Sequence, residues 1–283
     1  MAEPTPEPFN ETVDPRHWSK DPVSTADPQH WSKDPVSTVF LVPVRDRHAQ
    51  MAEFVRNTPP YLDQTLGPHE WEIWFIQDVE TERKRPFNKG ALFNIGFLEL
   101  KARFPLSWES KVLVMHDVDV HVKLEAAGTR PIEYTVSGPG VIRHPYGEID
   151  QRKGPIMGCF SILYACDYAR VNGVPNYYGW GVEDVTFGFR CQAAGIQIDE
   201  SGFIPRYSDS RIYDEVSHRT PADLTYIRAC HDRNQRLMQA ENFAQPVSGI
   251  STVKYTVVSS YAYQQATRDD NRVHVFDVKF QAS

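Results

Sequence analysis

Two short acidic motifs stand out in this 283-residue chain. Asp117-Val118-Asp119 closes the apolar run Lys111-Val-Leu-Val-Met-His116, and Gly179-Trp-Gly-Val-Glu-Asp184 follows farther along. Carboxylates at i and i+2 beyond a strand can both turn toward one hard divalent cation, Mn²⁺ or Mg²⁺, which in turn can hold a diphosphate. The second motif leaves a separate acid pair, Glu183 and Asp184, free to accept a proton from an incoming hydroxyl at a helix start. Together they outline a site for transfer from a nucleotide sugar. Neither motif is specific alone, since Asp-x-Asp also occurs in ordinary loops and Glu183 and Asp184 also read as helix-capping acids.

Further candidates cluster around these acids in chemical type. Arg45 and Arg47, after the run Val39-Phe-Leu-Val-Pro-Val44, offer fork-shaped donors to phosphate or uracil carbonyls, or surface ion pairs. The segment Phe87-Asn-Lys-Gly-Ala-Leu-Phe-Asn-Ile-Gly-Phe97 opens with an aromatic that can stack on a base and a lysine suited to anions. Asn88 equally reads as the cap of the helix that follows. Gly179 and Gly181 permit a close-approach loop that presents Trp180, whose flat face suits the apolar face of a sugar ring.

The elements that must position these groups alternate between strand and helix. Residues 39–44 read as a buried first strand, 46–57 as a helix, 71–78 as a second strand, 89–101 as a helix and 111–116 as a third strand. Such alternation predicts a mostly parallel α/β sheet with right-handed crossovers, and ligands bind beyond the carboxyl ends of its strands, where Arg45, Asp78 and Asp117 gather. Residues 128–154 are loop-rich with short strand candidates. A strand over 156–164, helices over 165–172 and 183–194, and irregular chain from 199 to a polar helix over 224–241 follow. Residues 252–259 and 272–280 read as a closing hairpin.

Composition narrows the function class. At 41% hydrophobic and 24% charged, the chain can bury one large core. A net charge of −7 without a Lys/Arg stripe argues against nucleic-acid binding. There is no long apolar run and no signal-like N-terminus, so the chain reads as soluble as written and without a membrane span. Cys159, Cys166, Cys191 and Cys230 lack zinc-type spacing and read as buried free thiols. Residues 1–38 form an extended leader in which residues 14–25 recur as 27–38, a tandem repeat with a 13-residue period whose matched stretches differ only at Arg16/Gln29. Its residues Trp18, Trp31, His17 and His30 read as solvated linker side chains, and Asn10 begins a glycosylation sequon. Residues 39–283 are then the catalytic domain.

Read in order, five segments resemble the β-1,4-galactosyltransferase family (glycosyltransferase family 7), above all its xylosylprotein branch. They are Phe40-Leu-Val-Pro-Val-Arg-Asp-Arg47, Phe87-Asn-Lys-Gly-Ala-Leu-Phe-Asn-Ile-Gly-Phe-Leu-Glu99, Met115-His-Asp-Val-Asp119, Tyr178-Gly-Trp-Gly-Val-Glu-Asp184 and Ser251-Thr-Val-Lys-Tyr-Thr-Val257. The resemblance implies a GT-A (Rossmann-like) fold, a UDP-sugar donor, Mn²⁺ (or Mg²⁺) and inversion at the anomeric carbon. It places Pro43, Arg45, Arg47, Phe87, Lys89, Asp117 and Val118 on the donor UDP, and Asp119 with Asp117 on the metal. Trp180 and Gly181 fall on the sugar and acceptor side, and Asp184 is implied as the catalytic base beside Glu183.

Three departures from the family pattern shape the expectations. Glu183-Asp-Val185 stands where the family reads Glu-Asp-Asp, a variant resembling the chondroitin N-acetylgalactosaminyltransferases. Ile156-Met-Gly-Cys159 stands for Tyr-x-Gly-Gly. Losing the tyrosine frees space beside the donor's C2 substituent, so UDP-GalNAc is expected to serve at least as readily as UDP-Gal. The family's His-x-His ligands are missing, and Asp214 and His218 are the replacement candidates. The implied activity is transfer of Gal or GalNAc to a saccharide or glycoconjugate acceptor in β-linkage. A retaining transferase would use the same metal motif without Asp184 as base, and a nucleotide-sugar or glycan-binding module would keep the pocket without turnover. The Golgi lumen follows as the compartment if an anchor precedes this sequence, and the cytoplasm otherwise.

Overall fold

A computed structural model describes residues 36–80, 85–148, 154–215, 221–265 and 268–281. The leader through residue 35 and His218 lie outside the described residues. In chain order the elements are β1 (Thr38–Val44), α1 (His48–Thr65), β2 (Trp71–Asp78), α2 (Lys89–Arg103), β3 (Val112–His116), β4 (Val120–Val122), β5 (Val141–Gly147) and β6 (Phe160–Tyr164). There follow α3 (Ala165–Arg170), α4 (Glu183–Ala193), β7 (Gln197–Asp199), β8 (Ile204–Pro205), β9 (Ile212–Asp214), α5 (Pro221–Ala240), β10 (Tyr255–Gln265) and β11 (Arg268–Phe280).

The main sheet runs β10-β11-β2-β1-β3-β6-β5-β7, with β8 added to β5, while β4 and β9 form a separate two-stranded ladder. Pairing is parallel from β11 through β2 and β1 to β3, and antiparallel at β10/β11, β3/β6 and β5/β6. The sheet is therefore mixed and mostly parallel, as expected. Along β1, Val39 and Leu41 enter one apolar cluster with residues of α2 and α4, while Phe40, Val42 and Val44 enter a second with residues of α1. Strict alternation into two cores means both faces of the strand are covered, which is why residues 38–44 are apolar almost throughout. Pro43 is tolerated in this central strand because pairing with β3 ends at Leu41.

The sequence reading and the structure differ in instructive places. Helix α1 continues to Thr65 through Pro59 and Pro60, past the end expected near residue 57. Tertiary packing overrides the local signal: Tyr61 and Leu62 are buried on the far side of the prolines, and the Tyr61 hydroxyl donates to the Ile132 carbonyl. Residues 156–159 are loop rather than strand, because β6 begins at Phe160. The stretch read as irregular after residue 199 contains β8 and β9. The folded body also begins slightly earlier than residue 39, since Val36 is buried and the Ser37 and Thr38 amides both donate to the Glu70 carbonyl. Among the described residues the four cysteines are free, and no helix is long and apolar enough to cross a membrane.

Candidate active site

The acidic tripeptide emerges from the carboxyl end of β3 under restraint from both sides. The Asp117 amide donates to the Cys159 carbonyl at 2.8 Å, and the Asp117 carbonyl accepts from His116 Nδ1 at 2.8 Å. His116 is buried, its ring stacks on Phe160 with centroids 4.6 Å apart, and its Nε2 accepts from the Tyr134 hydroxyl at 3.1 Å. Burial holds this imidazole down to about 4, so it stays neutral and serves as a fixed strut. The β4/β9 ladder then pins the chain just beyond Asp119, with the Glu215 amide on the Asp119 carbonyl.

Asp117 and Asp119 form the repulsive pair that a cation site requires. Burial first, and then the charge of Asp117, push the Asp119 carboxyl up to about 6. Two oxygen donors with accumulated negative charge suit a hard divalent ion, whose charge reverses that shift.

The start of α2 joins this pair to the second acid pair. Asn88 caps the helix by accepting from the Ala91 amide at 2.9 Å, which sets the direction of Lys89. Lys89 Nζ lies 3.2 Å from Asp117 Oδ1 and 3.7 Å from Glu183 Oε1. Burial works against its charge, but Asp117, Glu183 and Asp184 outweigh it and keep the ammonium protonated well above its ordinary range. On the other side, the Arg45 guanidinium stacks over Phe87 at 5.2 Å, donates to the Arg85 carbonyl at 3.0 Å and reaches Asp78 at 3.4 Å. Arg47 lies exposed at the N-cap of α1, and its charge acts on Asp119. Arg45, Arg47, Phe87 and Lys89 thus surround the ends of β1 and β3, where the topology collects them.

The glycine loop comes to the same place. Its Gly179 amide donates to the Phe87 carbonyl at 2.8 Å, and Gly179, Gly181 and Val182 all have positive φ. The Gly181 amide donates to Glu183 Oε2 at 3.0 Å, and the Val185 amide to Asp184 Oδ1 at 2.8 Å. Burial, and after it the charge of Asp184, push Glu183 up to about 7 despite its helix N-terminus and Lys89. A dipole alone therefore does not keep Glu183 ionised, contrary to the expectation from its position. Asp184 lies over bare backbone: a Cβ built on Gly158 falls 2.6 Å from Asp184 Oδ2 and 3.7 Å from Ile156 Cγ2. One pocket is lined by Lys89, Asp117, Cys159, Glu183 and Asp184. Trp180 stands at 49% exposure.

Three candidates are placed otherwise. The Val118 side chain is buried in the α1-side core, so only its backbone can meet a ligand. Asp214 sits on β9 opposite Val120, but both of its oxygens accept from Arg206 at 2.7 Å and Oδ2 also accepts from the Tyr146 hydroxyl at 2.8 Å. At 2% side-chain exposure it is a buried ion-pair partner rather than an available metal ligand. His218 cannot be placed, and among the described residues no group of three or more His, Cys, Asp or Glu side chains is arranged to hold an ion. Arg206 and the α5 face that meets the glycine loop were missed by motif reading, and Gly158 and Cys159 were read only as part of the segment Ile156-Met-Gly-Cys159, without a place in the site.

The chain is similar to known glycosyltransferases. A family model described as the N-terminal region of glycosyl transferase group 7 matches residues 18–126, and one described as the N-terminal domain of galactosyltransferase matches residues 144–218. The chain is 29% identical over 257 residues to β-1,4-galactosyltransferase 7 of Homo sapiens, covering 88% of this chain and 67% of that protein. It is 27% identical over 228 residues to β-1,4-galactosyltransferase 5 of Mus musculus, covering 78% of this chain and 52% of that protein, so it spans about half the length of that relative. A crystal structure of a Drosophila β-1,4-galactosyltransferase 7 mutant, in complex with manganese, UDP-Gal and xylobiose, superposes with a TM-score of 0.62 at 19% identity, covering 88% of this chain and 95% of that one. That likeness establishes the GT-A fold.

Proposed function

The chain belongs to the glycosyltransferase group 7 family, that of the β-1,4-galactosyltransferases, and from this we propose that it is an inverting transferase moving galactose or N-acetylgalactosamine from UDP to a saccharide hydroxyl. The observation that carries the reading is the double contact of Lys89, which brings Asp117 and the Glu183/Asp184 pair to one pocket. Arg45 and Phe87 cradle the nucleotide, with Arg47 and Lys89 facing the phosphates. Asp119 and Asp117 would hold Mn²⁺ or Mg²⁺, which would supply neutralising charge for the departing diphosphate.

Asp184 accepts the proton of the acceptor hydroxyl as that oxygen forms its bond to the anomeric carbon. The bond from that carbon to the UDP oxygen breaks on the opposite face, its electron pair leaves with UDP, and the configuration inverts. Glu183 fixes the loop through the Gly181 amide. The loop presents Trp180 to the sugar. Ile156, beside Gly158 and the base, leaves room at the donor's C2 position, which supports UDP-GalNAc as a donor equal to UDP-Gal.

The test is a donor screen with and without Mn²⁺, with product configuration read by NMR, repeated on Asp184→Asn. Transfer from UDP-Gal or UDP-GalNAc that inverts configuration and falls at least a hundredfold in the variant is expected. Retention of configuration, or UDP binding without transfer across the acceptor panel, would overturn the reading. Ile156→Tyr separately tests the donor assignment: a falling ratio of UDP-GalNAc to UDP-Gal use is expected, and an unchanged ratio removes Ile156 from donor selection.

A further inference from the structure

We infer that His144 of β5 is a positioning residue for Asp184, acting through the Gly158 carbonyl. The inference rests on the assignment of Asp184 as base in the proposed reaction. His144 is fully buried, and its Nε2 donates to the Gly158 carbonyl at 3.0 Å. Burial lowers the imidazole from its ordinary range, so the ring is neutral and carries a single proton. A carbonyl can only accept, and that proton therefore sits on Nε2.

Gly158 carries the consequence to the site. Its missing side chain makes room for Asp184, since a Cβ there would fall 2.6 Å from Asp184 Oδ2. The segment around it lies directly on α4: a Cβ on Gly188, one turn after Asp184, would collide with the Pro155 carbonyl. Three successive carbonyls of this segment each have their own donor. Met157 accepts from the Ser161 hydroxyl at 3.0 Å, Gly158 from His144, and Cys159 from the Asp117 amide at 2.8 Å.

The middle bond is the one that holds the point beneath the base. Its fit is close, because a Cβ on Gly147 would fall 2.7 Å from His144 Nε2 and 3.1 Å from the Gly158 oxygen. Bare backbone of β5 thus lets donor and acceptor meet. The Phe203 ring flanks the imidazole with centroids 5.2 Å apart. Without the donor a buried carbonyl is left unsatisfied, and the segment must shift to find a partner, taking the support of Asp184 with it. A displaced base slows the reaction without weakening the hold on the donor.

Transfer from UDP-Gal and UDP-GalNAc to methyl β-xyloside, xylobiose and methyl β-N-acetylglucosaminide tests this on wild type, His144→Leu, His144→Asn, His144→Gln and Asp184→Asn, with UDP affinity measured by calorimetry in Mn²⁺. Leucine has no donor, the asparagine amide stops one atom short, and the glutamine amide reaches the place of Nε2. In His144→Leu and His144→Asn kcat should fall roughly tenfold or more, while His144→Gln stays within about threefold of wild type. Donor KM and UDP affinity should be unchanged in all three. If His144→Leu does not fold, the contrast of asparagine with glutamine carries the same comparison. A wild-type kcat in the leucine or asparagine variant, an equal fall in His144→Gln, or a fall matched by lost UDP affinity overturns the positioning role. Transfer lost in Asp184→Asn beside wild-type kcat in the His144 variants removes that role alone. A wild-type rate in Asp184→Asn, or no transfer by the wild type on any pair, removes the base assignment and the positioning role with it.

Discussion

Lys89 Nζ stands 3.2 Å from Asp117 Oδ1 and 3.7 Å from Glu183 Oε1, so a single ammonium joins the acid pair after β3 to the acid pair that opens α4. Three carboxylates, those of Asp117, Glu183 and Asp184, line one partly buried pocket and repel one another, and Lys89 lines it with them as a cation. Lys89→Met should therefore destabilise the fold by on the order of 2 kcal/mol, less than a fully buried pair because these side chains retain some solvent contact. Transfer should fall by roughly a hundredfold as a donor to developing negative charge is lost. Thermal unfolding and initial rates read the two effects, and a variant with wild-type values for both would remove Lys89 from the site.

Gly158 should tolerate no side chain without cost to the base. A Cβ there comes within 2.6 Å of Asp184 Oδ2, so Gly158→Ala must move the carboxylate or the loop. A displacement of this size costs up to about a hundredfold in rate when it misaligns a reacting group. The expected signature is a lower kcat with little change in the donor KM. A wild-type kcat in Gly158→Ala would show that Asp184 need not stay where it lies.

Metal affinity should depend on pH in a defined direction. With Asp119 pushed up to about 6, protons compete for its carboxylate below that pH, and the cation is bound more tightly as pH rises through it. Mn²⁺ affinity, followed by calorimetry, should be about tenfold weaker near ~pH 5 than near ~pH 7. In Asp119→Asn affinity should be weak at both values. A pH-independent affinity in the wild type would count against Asp119 as a ligand.

Asp214→Asn separates fold from metal site. Arg206 would keep only the exposed Glu148 as a charged partner, and one neutral amide oxygen would remain for Arg206 and Tyr146 to share, so a loss of stability on the order of 2–3 kcal/mol is expected. Mn²⁺ affinity of the folded variant should be retained. Loss of metal binding at wild-type thermal stability would reinstate Asp214 as a ligand.

Much of the fold was legible because it rests on local pattern. The mostly apolar runs at residues 39–44, 71–78 and 111–116 became the three adjacent parallel strands β1, β2 and β3, since strands covered on both faces are apolar at most positions. The start of α2 was equally readable, because Asn88 performs its capping chemistry within one turn. Tertiary contacts hid the rest. Helix α1 passes two prolines because residues beyond them are buried, which no local rule reveals.

By itself the sequence determined the chemical inventory and the strand ends that carry it: the acids at 117, 119, 183 and 184, the Arg45, Arg47 and Lys89 cations, and the glycines around Trp180. Only the tertiary structure decided which of these groups meet. It set Asp184 over Gly158, raised Glu183 by burial, committed Asp214 to Arg206 and turned His144 onto the Gly158 carbonyl. The physical reason is that composition and spacing specify the charge a residue carries and the face it occupies. Its protonation and partners depend on dielectric and distance, which exist only once segments remote in sequence are packed together.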